Sequence, residues 1–277
     1  MIPSTTNEVG NFTQPTVTTR EPQDLIIDMI EICNILLAAT SVFLNSSIII
    51  LVVCSPRLRK QHNIFTFNMA VIDIFSAFVM LISLAVFMTR KVPRILLTTW
   101  GSSIVSASLN ILLLALYRYV TVQVDPFGIR NLVTTPRCIL ACVLTWLNGF
   151  LVHIFVIFDE GSTWVSSFIL FFFALTGISY ALIYRGVTSS RDVRRLKENR
   201  RLLITFVSIY ITSVAFWIPG LALTIFYSEN DLIEDICVLS LNANLIVNPV
   251  IFWARSNDFR TELKRLLFKT NIGPIMV

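Results

Sequence analysis

Seven apolar runs limit what this 277-residue chain can fold into. They fall at about 29–54, 63–88, 95–124, 137–158, 164–187, 200–227 and 233–254, each long enough to cross the hydrocarbon layer as a helix. A helix satisfies its own backbone N–H and C=O groups, and lipid offers them no other partner. The runs therefore predict an all-α integral membrane protein, a seven-transmembrane helix bundle. Composition agrees: apolar residues make up 55% of the chain and charged residues 14%, against about a quarter charged in soluble domains. With short loops the spans nearly fill the chain, which leaves no room for a large soluble domain.

The flanks are read from their polarity. Residues 1–28 are expected to be an extracellular N-terminal tail, 29–254 the bundle, and 255–277 a cytoplasmic tail. The first 24 residues are polar, lack an apolar stretch suited to a cleaved signal peptide, and read as disordered. Asn11-Phe12-Thr13 fits the glycosylation acceptor pattern. In the C-terminal tail, SNDFRTELKRLLF places Phe259, Leu263, Leu266 and Leu267 on one helical face with basic residues opposite. Such a segment lies on the membrane surface as an amphipathic helix.

Orientation follows from the basic residues, which collect on the cytoplasmic side of short loops. With the N-terminus outside, 18 of the 22 Lys and Arg lie inside, and only Arg20, Arg90, Lys91 and Arg94 remain outside. Eleven of the 17 acidic residues lie on the outer side, an ordinary outcome for outward loops that would also attract a cation. The expected location is the plasma membrane, multi-pass, with the C-terminus in the cytoplasm. The five cysteines form no CxxC pair, and His62 and His153 stand far apart, so no metal site with thiolate or imidazole ligands is suggested. Only Cys33 and Cys237 sit near the outer face, and a bond between them is left open.

One acid stands out. Asp73 lies in NIFTFNMAVIDIFSAFVMLISLAVFM, with no other formal charge for about ten residues on either side. An ionised carboxylate at membrane depth costs several kcal/mol unless it faces the protein interior and finds partners. It is either a structural clamp between helices or the centre of a functional site. Pro219 and Pro249 are equally costly within spans, because each removes a backbone donor and crowds the preceding turn. A kinked helix has two arms that can pivot, which makes it a natural two-state element.

The motifs around these residues resemble those of the rhodopsin-like (class A) G-protein-coupled receptors, over roughly residues 30–268. Asn45 in SVFLNSSIIILVV is similar to the family's first-span asparagine. Asn68-Met69-Ala70-Val71-Ile72-Asp73 resembles Asn-Leu-Ala-x-x-Asp. Tyr117-Arg118-Tyr119 resembles Asp-Arg-Tyr with the acid replaced. Trp146 is similar to the fourth-span tryptophan. Phe216-Trp217-Ile218-Pro219 resembles Cys-Trp-x-Pro, and Asn248-Pro249-Val250-Ile251-Phe252 resembles Asn-Pro-x-x-Tyr.

The resemblance implies roles. Asp73, Asn45, Asn244, Asn248, Pro249 and Phe252 are expected to form a switching network, in which relatives often hold a sodium ion at the acid. A protonated Asp73 is the competing state, since Ala107 stands where relatives supply a serine hydroxyl and Ser108 is adjacent. No other cofactor is implied. Trp217, Pro219 and Phe216 correspond to a transmission switch beneath the ligand. Arg118, Tyr117, Tyr119 and Tyr180 are expected to face a heterotrimeric G protein. Tyr117 cannot form the family's restraining ion pair, and the nearest acid on span six is Glu198, so a weakened resting lock is expected. Phe252 lacks the hydroxyl that would link through water to Tyr180, and Phe172 replaces a common fifth-span proline. The outer disulfide of relatives has no cysteine near Pro93.

Ligand class is narrowed by the same comparison. Trp100, Ile104 and Asn242 are expected to line the ligand cavity. Trp100 replaces the aspartate of amine receptors and Asn242 the retinal-binding lysine, which leaves a peptide or a small molecule. The partners implied are an extracellular ligand, a G protein and the bilayer, with no nucleic acid. Set against this are a receptor-like protein that binds without coupling, and a transporter. Transporters show internal repeats, and the halves of this chain show none. An enzyme is not expected: no nucleophile–base–orienter set falls in facing spans.

Overall fold

A computed structural model describes residues 22–87, 94–125, 129–158, 162–189, 193–226 and 231–268. Eight α-helices run through them: α1 Pro22–Cys54, α2 Gln61–Phe87, α3 Arg94–Tyr119, α4 Thr135–Phe158, α5 Ser162–Ser189, α6 Val193–Phe226, α7 Asp231–Arg255 and α8 Asn257–Phe268. Seven of them, α1 to α7, are long and apolar enough to cross a membrane. The fold is the all-helical seven-span architecture that the apolar runs require. Two helices exceed the spans read from hydropathy: α1 begins at Pro22 rather than 29, and α6 at Val193 rather than 200. Both extensions are polar, because helical geometry continues into water where hydropathy no longer registers it. Asn11, Pro93 and residues 159–161 lie outside the described residues.

The helices close a ring in which α1 packs on α2, α2 on α3, α3 on α5, α5 on α6, α6 on α7, and α7 back on α1. The remaining span, α4, leans on α3 from outside. Burial follows this plan: 61% of the α3 span is buried against 22% of the α4 span. The mildly apolar start of α3, TTWGSSIVSAS, is thus the innermost part of the bundle and not a weak span. Its serines are small enough to let neighbouring backbones approach.

The distribution of polarity is inverted relative to a water-soluble protein. Phe43, Leu140, Leu144, Leu147 and Phe171 are exposed, and Phe43 reaches 74%. Buried residues include Asn34, Ser41, Asn45, Asn68, Asp73, Asn110, Asn242, Asn244 and Asn248. A bilayer covers the first group and a self-contained hydrogen-bond system must serve the second. At the far end, Phe259 of α8 is buried edge-on to Trp253, with ring centres 6.3 Å apart, and Leu263 packs on the same core. That is the apolar face expected of the surface helix; the side chains of Leu266 and Leu267 lie outside the described set. No disulfide joins Cys33, which is exposed, to Cys237, which is buried.

Gly149 fixes the closeness of α3 and α4. A Cβ there would meet Ser106 Oγ at 2.1 Å and the Ser102 carbonyl at 2.9 Å, and the carbonyl cannot turn away. Gly101 faces open space. Gly149→Val is expected to destabilise the bundle by about 1–3 kcal/mol through overpacking. Gly101→Ala should be neutral or stabilising by up to about 1 kcal/mol through helix propensity. Thermal unfolding of the two purified variants checks the contrast.

Candidate functional site

The polar axis starts at Asp73 on α2, 1% exposed. Asn248 Nδ2 on α7 donates to its Oδ2 at 3.4 Å, and Oδ1 is buried without a donor. The side-chain oxygens of Asn244 and Asn248 are likewise buried without donors. One acid and two amides thus present oxygen acceptors in the same part of the bundle. Ser108 donates its hydroxyl to Val105 O of its own helix at 2.8 Å, and Ala107 has no polar group to add.

Asn45 does not join Asp73 as the resemblance implies. Its amide donates to Ser41 O at 3.0 Å, Ser41 Oγ at 3.2 Å and Leu245 O at 3.2 Å. Ser41 Oγ also donates to Leu245 O at 3.3 Å. The reason lies four residues further along α7. Pro249 has no N–H, so the Leu245 carbonyl loses its intrahelical partner. Asn45 and Ser41 of α1 replace that donor, and the kink in α7 is tied to α1. One residue from the carbonyl that Pro219 frees, that of Ala215, the Phe216 carbonyl accepts from Ser240 Oγ of α7 at 2.9 Å, which ties α6 to α7 near the proline.

A second polar cluster pins α2, α3 and α4 together. Asn68 Nδ2 donates to Asn110 Oδ1 at 2.8 Å, and Trp146 Nε1 donates to Asn68 Oδ1 at 3.0 Å. Asn110 Nδ2 donates to Phe65 O at 3.2 Å. Asn110 was not singled out from sequence, although a lone amide within LNILLLALY carries the same signal as Asp73.

Trp217 is buried and meets Phe173 of α5 edge-on, centroids 5.1 Å apart at 74°. Phe173 leads to Tyr210 at 6.1 Å, and Tyr210 to Tyr180 at 5.7 Å. Tyr210 Oη donates to Phe173 O at 3.0 Å, so α5 and α6 are linked by a bond as well as by rings. Phe216 is only half-buried, and neither Phe173 nor Tyr210 carried a motif by which to find it.

At the far end of α3, Arg118 sits among aromatic faces. Its Cζ lies 4.9 Å from the centre of the Phe206 ring on α6 and 5.4 Å from that of Tyr117. Phe206 in turn meets Phe252 of α7 at 6.4 Å and 68°. A guanidinium is attracted to such faces by the ring quadrupole. Tyr119 is half-buried against this cluster, and the hydroxyl of Tyr180 is buried without a partner. After Tyr119 the helix widens into a π turn, Val120–Val124, where Gln123 Nε2 donates to Leu182 O of α5 at 3.0 Å.

The three residues expected in a ligand cavity lie on α3 and α7. Trp100 and Ile104 are half-buried on α3, while Asn242 Nδ2 donates to Asn34 Oδ1 of α1 at 2.8 Å. A small cavity of about 60 Å³ opens between α2, α3 and α4, lined by Phe75, Ser103, Ser106, Trp146 and their neighbours. None of the three expected residues lines it.

Seven spans, a polar axis through α1, α2 and α7, and an arginine at the end of the innermost helix define a seven-helix membrane protein. Residues 44–164 match the family model described as 7 transmembrane receptor (rhodopsin family). That stretch runs from α1 into α5 and contains Asn45, Asp73, Arg118 and Trp146. The likeness to rhodopsin-like receptors read from the motifs is therefore shown there by an independent comparison. The motifs of α6 and α7 lie beyond the match and stand on their residues and packing.

Asn45 is expected to matter through Leu245. Asn45→Leu should cost about 1–3 kcal/mol, the usual penalty for a buried polar group left short of a partner. Adding Ser41→Ala should enlarge the loss. Melting midpoints of the single and double variants read this directly; an unchanged midpoint in both would count against the tie.

Proposed function

We propose that this receptor-class protein carries an extracellular signal across the plasma membrane to a heterotrimeric G protein. The observation that carries the reading is that Trp217 and the ring beneath Arg118, Phe206, stand on one helix, α6. The α6 tryptophan meets Phe173, the aromatic series continues through Tyr210 to Tyr180, and Arg118 rests on α6 through Phe206. Trp217 and Phe206 lie on the same arm of α6, N-terminal to Pro219, so a ligand that moves Trp217 acts on the arm that holds the arginine. A pivot at the kink then opens the Arg118 end of the bundle. The excess of basic residues around Arg118 supports a cytoplasmic position for that end, with the N-terminus extracellular. The ligand is a peptide or small molecule, neither an amine nor retinal, for the reasons drawn from Trp100 and Asn242.

A second reading, binding without coupling, is favoured by Tyr117 and Phe252, which replace an acid and a tyrosine used by relatives. Nucleotide exchange on purified G protein separates the two. Exchange above the G-protein background supports coupling, and its absence with any agonist found by screening supports the second reading. Coupling further implies that Tyr117→Asp lowers ligand-independent exchange, because the new carboxylate can pair with Arg118. Unchanged basal exchange would count against a weakened resting lock.

The acceptor oxygens of Asp73, Asn244 and Asn248 fit a hard monovalent cation, and sodium is the ion proposed there. When bound, it would supply the positive charge that lets Asp73 remain ionised in the bundle. Sodium chloride is then expected to stabilise the protein over choline chloride at equal ionic strength. The gain should be about 1 kcal/mol, or roughly 2–4 °C in melting midpoint. Asp73→Asn should abolish the difference. Equal midpoints in the two salts for the unsubstituted protein would favour the protonated acid.

A further inference from the structure

Ser213 on α6 is fully buried, and its Oγ has no partner among the described residues. Other buried serines of the bundle donate to a carbonyl of their own helix: Ser76, Ser83, Ser102 and Ser108 do so at 2.8–2.9 Å. The carbonyl one turn back from Ser213 is crowded. Ile209 O takes the N–H of the helix ladder and also lies 3.0 Å from the Thr212 hydroxyl. A carbonyl with two lone pairs has little left for a third donor. The Ser213 hydroxyl is therefore turned to something other than its own helix.

The register of α6 against α7 shows what it faces. Ser240 Oγ of α7 donates to Phe216 O of α6 at 2.9 Å, which levels the two helices at that point. Toward the Arg118 end, Ser213 lies three residues from Phe216 and Asn244 four residues from Ser240. At the helical rise these steps are about 4.5 Å and about 6 Å, so the two residues stand at nearly one depth. Positions three and four apart share a helix face, which aligns Ser213 with Phe216 and Trp217, and Asn244 with Ser240. One apolar core at this level holds Ile72, the neighbour of Asp73, with Ala107 of α3, Val214 and Trp217 of α6 and Leu241 of α7. Asn244 Oδ1 is itself buried without a donor.

We infer that Ser213 is the α6 oxygen of the cation site at Asp73. A hydroxyl can turn a lone pair to the ion and its proton to the Asn244 oxygen, whereas carboxylate and amide oxygens only accept. It stands in for the hydroxyl that Ala107 of α3 lacks. With Asp73 Oδ1, Asn244 Oδ1 and Asn248 Oδ1 it makes four oxygens from three helices, α2, α6 and α7. One formal charge among four oxygens suits a monovalent cation; calcium takes about six to eight. Ser213 also lies on the arm of α6 N-terminal to Pro219, so the site includes a ligand on the arm that pivots. Ser213 has this role only if the Asp73 site holds a cation, the reading on which the assignment rests.

Melting midpoints of the purified full chain, titrated with sodium chloride against choline chloride at constant ionic strength, give the half-saturating sodium concentration. Ser213→Ala should raise it about ten-fold, the lower end of the losses seen when a group supporting a metal site is removed. In choline chloride alone the same variant should melt no lower than the unsubstituted chain, because it deletes a buried hydroxyl that has no partner. Ser213→Thr keeps the hydroxyl and should stay near the unsubstituted half-saturation. Thr212→Ala removes the adjacent hydroxyl, which bonds its own helix, and should leave half-saturation unchanged. If Ser213→Ala leaves half-saturation unchanged while sodium still stabilises the unsubstituted chain, the assignment of Ser213 falls and the cation site stands. An equal drop in midpoint in both salts would make the hydroxyl structural and overturn the assignment as well. Absence of any sodium dependence in the unsubstituted chain would remove the cation site itself, and the role of Ser213 with it.

Discussion

The Leu245 carbonyl cannot be satisfied by its own helix, and much of the bundle is arranged around that fact. Pro249 removes the donor, and hydrocarbon offers no water to replace it. Asn45 and Ser41 supply the missing bonds from α1, at a sequence distance of about two hundred residues. The same contacts that repair the backbone hold α1 against α7 and set where the kink points. Asn248, next to the proline, is then placed where its amide reaches Asp73. A backbone defect, its repair and the buried acid form one unit.

The interior shows two kinds of polar assembly with different physical character. The Asn68–Asn110–Trp146 cluster pairs every nitrogen and oxygen that joins its helices, and satisfied networks of this kind rigidify what they connect. The axis around Asp73 leaves acceptors at Asp73, Asn244 and Asn248 without donors. Such a site has acceptor capacity left for an ion, a proton or a rearranged set of bonds. Satisfied contacts between α2, α3 and α4 thus stand beside an under-satisfied axis at α7. An attraction between a cation and ring faces constrains direction less than a bidentate ion pair does.

Individual residues show how far sequence reading reached. Asp73 was legible because a charge in an apolar run has few explanations. Pro219, Pro249 and Trp217 were legible for the same reason of rarity in context. Asn45 was legible as important and misassigned in its partner: the acid was the conspicuous candidate, whereas the unsatisfied carbonyl of Leu245 is invisible in a list of side chains. The bond of Asn242 to Asn34 could not be read from either residue alone. Phe173, Tyr210 and Phe206 escaped notice because one aromatic among 21 phenylalanines and six tyrosines carries no signal until its neighbour is known. Glu262 read as an ordinary surface acid on an amphipathic helix, and only the fold shows it buried against Ser55.

Sequence by itself determined the number of spans, their order, the membrane class and the positions of the costly groups. These depend on local properties: the length of an apolar run, the missing N–H of a proline, the solvation cost of a charge. Tertiary structure alone decided which group meets which. Rotation of a helix by a third of a turn moves a side chain from one neighbour to another without altering the periodicity of its own segment. The partner of Leu245 lies on α1, the ring over Arg118 on α6, and the hydroxyl on Glu262 at the end of α1. Those pairings exist because the helices pack into one bundle, a property of the whole chain and of no single stretch within it.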